Sequence, residues 1–66
     1  MNLNELIRMR KWAKKRNYQI YWDSKTDRWG AALHGDKDHP ITPLFDKMEQ
    51  LQECLIQKMY EDMASK

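Results

Sequence analysis

The chain has 66 residues, with 12 Lys and Arg against 10 Asp and Glu, 41% apolar residues and a single cysteine. That length excludes more than one domain and leaves little volume to wall off an enclosed active site. The lone Cys54 excludes an internal disulfide framework, and no apolar run approaches the length of a membrane span.

Residues 1–5 do not read as a signal peptide, and a lone thiol suits a reducing compartment, so a cytoplasmic location is expected. Three Trp, three Tyr and one Phe provide the apolar bulk a small core requires. A chain of this size buries only about 60% of the surface its unfolded form exposes, so a homodimer is an expected way to enlarge the core. The net charge of +2 is unevenly spread. Residues 1–16 carry Arg8, Arg10, Lys11, Lys14, Lys15 and Arg16 against Glu5. Residues 17–35 are balanced, and residues 36–66 carry seven acids against four bases. A basic head is joined to an acidic tail.

Residues 2–15 predict a helix. Asn2 or Asn4 can cap it by accepting a backbone N–H, and Glu5 suits the positive end of the helix dipole. Leu3, Leu6, Ile7 and Ala13 share one face, widened by Met9 and Trp12, while Arg8, Lys11 and Lys15 form the opposite stripe. Asn17 is a stop signal.

Residues 18–22 and 28–34 predict a β-hairpin. Tyr18, Ile20 and Trp22 alternate with Gln19 and Tyr21, and Trp29, Ala31 and Leu33 repeat the pattern. Asp23, Ser24 and Asp27 supply turn chemistry. A loop at 24–27 pairs residue 23 with 28, which sets Trp22 opposite Trp29, Ile20 opposite Ala31 and Tyr18 opposite Leu33 on one face. Tyr21 then points to the other face, where it either offers an exposed ring to a partner or covers Gly30. A short third strand near residues 39–41 is a further option.

Residues 35–41 are polar. Thr42 followed by Pro43 is a helix-start signal, and an amphipathic pattern continues to about Met63. Leu44, Met48, Leu51, Leu55 and Met59 share a face opposite Asp46, Gln50, Glu53, Gln57 and Glu61. The order predicts an α+β fold, a small α-β-β-α domain with the hairpin packed against an N-terminal helix and a long C-terminal helix.

Catalysis by a nucleophile requires a base and an orienting group in a pocket, and Cys54 reads instead as a half-buried hydrophobe at the margin of the long helix. His34, Asp36, Asp38 and His39 offer ligand atoms, but their spacing matches no zinc pattern and a polar turn accounts for them. No enzyme activity, cofactor or metal is expected. The stripe Arg8, Lys11 and Lys15, extended by Lys25 and Arg28, could contact phosphates, although such a charge run is often only a solvated face. A 21-residue helix is about 31 Å long and a six-residue strand only about 20 Å. Met59 and Met63 are therefore expected to reach beyond the hairpin and meet a protein partner, together with Asp46, Glu49, Glu53 and Glu61.

The opening Met-Asn-Leu-Asn-Glu-Leu-Ile-Arg8, with a Lys-rich helix end and an aromatic strand start at Tyr18, resembles the N-terminus of a family of Listeria-prophage anti-CRISPR proteins. The resemblance spans about eighteen residues. It implies a small phage or mobile-element protein that inhibits nucleic-acid-handling machinery by protein contact. The family is strongly acidic, whereas this chain is mildly basic, so no residue role is carried over. Three functions are thus expected to compete: an inhibitor acting by protein contact, a direct DNA- or RNA-binding module, and a structural or dimerisation module.

Overall fold

The computed structural model describes residues 2–65. Helix α1 (Leu3–Lys15) leads into strands β1 (Tyr18–Asp23) and β2 (Arg28–Leu33), and helix α2 (Met48–Ala64) follows. The order is α-β-β-α, the α+β arrangement that the sequence predicts. No helix among the described residues is long and apolar enough to cross a membrane.

Local chemistry explains both ends of α1. The Asn2 side chain accepts the Glu5 N–H at 2.8 Å, satisfying a donor that the helix itself cannot. At the other end Asn17 adopts φ 63°, the left-handed conformation that Asn tolerates better than most residues. The Arg16 and Asn17 N–H groups close onto the carbonyls of Trp12 and Lys14, both at 3.1 Å. The Asn17 carbonyl then accepts the His34 N–H at 2.8 Å and starts the hairpin ladder.

The hairpin register is the expected one: Trp22 opposite Trp29, Ile20 opposite Ala31, Tyr18 opposite Leu33, and Asp23 opposite Arg28. Asp27 closes the turn at φ 55°. The Thr26 hydroxyl donates to Asp23 Oδ2 at 2.7 Å, and Trp22 Nε1–H donates to Asp27 Oδ1 at 3.0 Å. Tyr21 does cover Gly30. A Cβ at Gly30 would lie 3.1 Å from the Tyr21 ring and 2.6 Å from Leu44 Cδ2, so a larger residue there would have to displace the Leu44 side chain and crowd the Tyr21 ring.

The long helix starts later than Thr42 and Pro43 suggest, at Met48, with Lys47 in the cap position and no side-chain cap bond. The reason is a competing use of the backbone. Ile41 N–H donates to the Ala31 carbonyl at 2.8 Å, and Trp29 and Phe45 exchange backbone bonds at 2.7 and 2.8 Å. Residues 40–45 therefore run along the outer edge of β2 as two isolated bridges, Ala32 with Pro40 and Trp29 with Phe45, and not as a third strand. The two bridges differ by two residues in register, so the segment bulges between them. Thr42 caps nothing. It is buried, and its hydroxyl makes no hydrogen bond among the described residues.

The core joins Met9 of α1, Ala31 of β2 and Leu51, Leu55, Ile56 and Met59 of α2, with Leu6, Trp12, Trp29, Ile41, Phe45 and Met48 packed around it. The inward face of α1 is thus centred on Met9, whereas Leu3 is 70% exposed and Ile7 lies at the surface. The expected aromatic face of the hairpin is also only partly covered. The helices reach Ala31 and Trp29, while Trp22 and Ile20 on the outer strand stay exposed, as does Leu33 at the end of β2.

Candidate functional site

Arg8, Lys11 and Lys15 occupy positions i, i+3 and i+7 of α1, so they rise along one side of the helix in steps of about one turn. All three are exposed. With Arg16 they form one wall of an open groove of about 690 Å³, whose other wall is Met59, Asp62 and Met63 of α2 and whose floor includes Trp12. Trp12 is held firmly. Its Nε1–H donates to Asp62 Oδ2 at 2.9 Å, and its ring lies 5.4 Å from that of Tyr18 at a 58° tilt. The Arg16 guanidinium donates to the same Asp62 oxygen. Asp62 therefore joins the end of α2 to the end of α1 through two donors.

Arg16 is thus neutralised by a carboxylate, but the rest of the helix is not. Arg8, Arg10, Lys11, Lys14 and Lys15 make no ion pair among the described residues. Five cations on a 13-residue helix against the single carboxylate of Glu5 in its first turn produce a strong local positive potential, damped within about 10 Å at 0.1 M salt. The other two expected phosphate contacts lie apart from this stripe. Arg28 Nε pairs with Asp46 Oδ1 at 3.0 Å, and Lys25 lies in the hairpin turn, on a second groove with Tyr21, Trp22, Lys37 and Asp38. In that groove burial, followed by the Asp23 and Asp38 charges, raises the Tyr21 phenol above its ordinary value.

The acidic contact surface expected on α2 is smaller than the sequence suggests. Asp46 precedes the helix and is engaged by Arg28. Met59 is 2% exposed, because it packs into the core cluster that includes Met9 of α1. Glu49, Glu53 and Glu61 remain exposed, and Met63 is 56% exposed. Cys54 is half-buried on the same helix. In the connection after β2, His39 Nδ1 lies 2.9 Å from Asp36 Oδ1, and that hydrogen bond raises the imidazole pKa above its ordinary 6.5. The described residues gather no group of three His, Cys, Asp or Glu side chains fit to hold a metal.

Sequence reasoning missed Asp62. An acid near the end of a helix looks like one more solvated charge, and only the approach of α1 makes it the shared acceptor of Trp12 and Arg16. No family model, curated protein or solved structure matches this chain.

Proposed function

We propose that this chain is a small non-enzymatic binding domain of a nucleic-acid-handling system, and that the exposed side of α1 takes hold of a phosphate backbone. The observation that supports this reading is the unneutralised stripe of Arg8, Lys11 and Lys15 along one wall of the groove, with Arg10 and Lys14 beside it. Phosphate contact releases condensed counterions, so affinity falls as salt rises, by about 0.9 in log-log slope for each phosphate neutralised on B-DNA. Nothing in the stripe selects a base, so the contact is expected to be indifferent to sequence.

Binding to random-sequence DNA and RNA at low and physiological salt tests the proposal. Arg8→Glu, Lys11→Glu and Lys15→Glu together should abolish binding at physiological salt. Neutral Gln at the same three positions should lower the salt slope by roughly 3, about one for each contact. No binding at low salt would reduce the stripe to a solvated face.

A second reading is inhibition by protein contact through the acidic side of α2, as a phage-type accessory protein would act. It is favoured by the exposure of Glu49, Glu53 and Glu61 along one helix. Reversing those three charges should then release a captured nuclease-type partner while leaving nucleic-acid binding intact.

A further inference from the structure

The two edges of the sheet are finished differently. Because Asn17 and His34 are backbone-bonded, the ladder bonds of the hairpin fall at the pairs 17/34, 19/32, 21/30 and 23/28. The groups of Trp29 and Ala31 therefore point to the other side of β2, where Phe45 and Ile41 meet them. That edge is covered by a bulged segment containing Pro40 and Pro43, features that prevent further strand addition. By the same alternation, the N–H and carbonyl groups of Tyr18, Ile20 and Trp22 point outward from β1, and no backbone bond reaches them among the described residues. This edge has none of the usual protections: β1 contains no Pro, Lys or bulge, and its single charge is the terminal Asp23. Ile20 and Trp22 are 36% and 50% exposed beside it.

We propose that β1 pairs antiparallel with β1 of a second copy, joining two hairpins into a four-stranded sheet about a two-fold axis at Ile20. The strand is self-complementary in this register. Ile20 meets Ile20 of the other copy, and Tyr18 meets Trp22, so every outward N–H and carbonyl of the three residues finds a partner. Shifting the axis to residue 19 leaves Trp22 opposite Arg16, and shifting it to residue 21 leaves Tyr18 opposite Ser24 in the turn. In the centred register Asp23 faces neutral Asn17, so no like charges oppose each other along the strand. A lone two-stranded sheet is marginal, and pairing supplies the strands this small core lacks. The proposal rests on the strand edge and is independent of the phosphate-binding reading.

Sedimentation equilibrium of the full chain across a wide concentration range should approach twice the 8.1 kDa chain mass. Amide hydrogen exchange at Tyr18, Ile20 and Trp22 should slow as the dimer forms. Ile20→Lys sets two ammonium groups against each other on the axis and should raise the dissociation constant roughly tenfold or more. Leu33→Lys alters an exposed residue of the same face off the β1 edge, and should leave the mass distribution unchanged. A chain that stays monomeric throughout overturns the proposal. So does a dimer in which those three amides exchange freely, or one dissociated by Leu33→Lys and untouched by Ile20→Lys. Should Ile20→Lys fail to fold, as judged by circular dichroism, the exchange measurement on the unaltered chain decides.

Discussion

Helices α1 and α2 are both amphipathic in the sequence, α1 the more strongly, yet they do different jobs. Helix α2 places Leu51, Leu55, Ile56 and Met59 in the core and has no side-chain cap. Helix α1 is capped by Asn2, buries only Met9 completely and turns five unpaired cations to solvent. Packing stabilises α2, whereas local chemistry defines α1 and leaves its cationic surface open to solvent. A helix that carries little of the core can tolerate a run of like charges that would otherwise compromise folding.

The largest expected effect sharpens this contrast. Leu51→Ala or Leu55→Ala removes a fully buried side chain and should cost about 2–5 kcal/mol by denaturant unfolding. Leu3→Ala on α1 should change stability by no more than about 0.5 kcal/mol, since that side chain is mostly in water. If the two substitutions cost the same, the division between the helices is wrong.

Next comes the joint between them. Asp62→Ala removes the acceptor of Trp12 and Arg16 together and should cost about 1–2 kcal/mol, the lower part of the range for charged acceptors because the ion pair is partly exposed. A double-mutant cycle with Trp12→Phe should show coupling between the two positions.

The cap is a smaller test. Asn2→Ala should cost about 1 kcal/mol, and Asn2→Asp should restore most of it. Loss of helicity confined to α1 by residue-resolved exchange would confirm that the cap acts locally.

The smallest effect involves neither helix and serves as a control. The Asp36 hydrogen bond raises the His39 pKa, so protonated His39 is favoured in the folded chain. Its contribution is present at pH below the ordinary imidazole value and is lost as pH rises through the folded value. Asp36→Asn should bring the His39 titration, followed by NMR, back toward 6.5, with the unfolding midpoints of the two proteins converging above that window.

Features controlled by near neighbours could be read from the sequence. The Asn2 cap, the Asn17 stop, the loop at 24–27 and the full hairpin register each depend on residues within one turn or across one tight loop, where side-chain chemistry and alternation leave few choices. The exposed stripe of Arg8, Lys11 and Lys15 was also legible, because its spacing is a property of the helix alone. Three features required the tertiary structure. Thr42 and Pro43 are a sound local start signal, but the edge of β2 claims the backbone of residues 41 and 45 and delays α2 to Met48. Rotation of α1 about its axis is decided by α2 and β1, which draw in Met9 and leave Leu3 and Ile7 outside. The same approach buries Met59 and turns Asp62 into the joint, while Arg28 and Asp46 find each other across the chain. Local propensity sets what each segment can be. Long-range hydrogen bonds and burial, which no neighbouring residue reports, decide where a segment begins and which of its faces meets water.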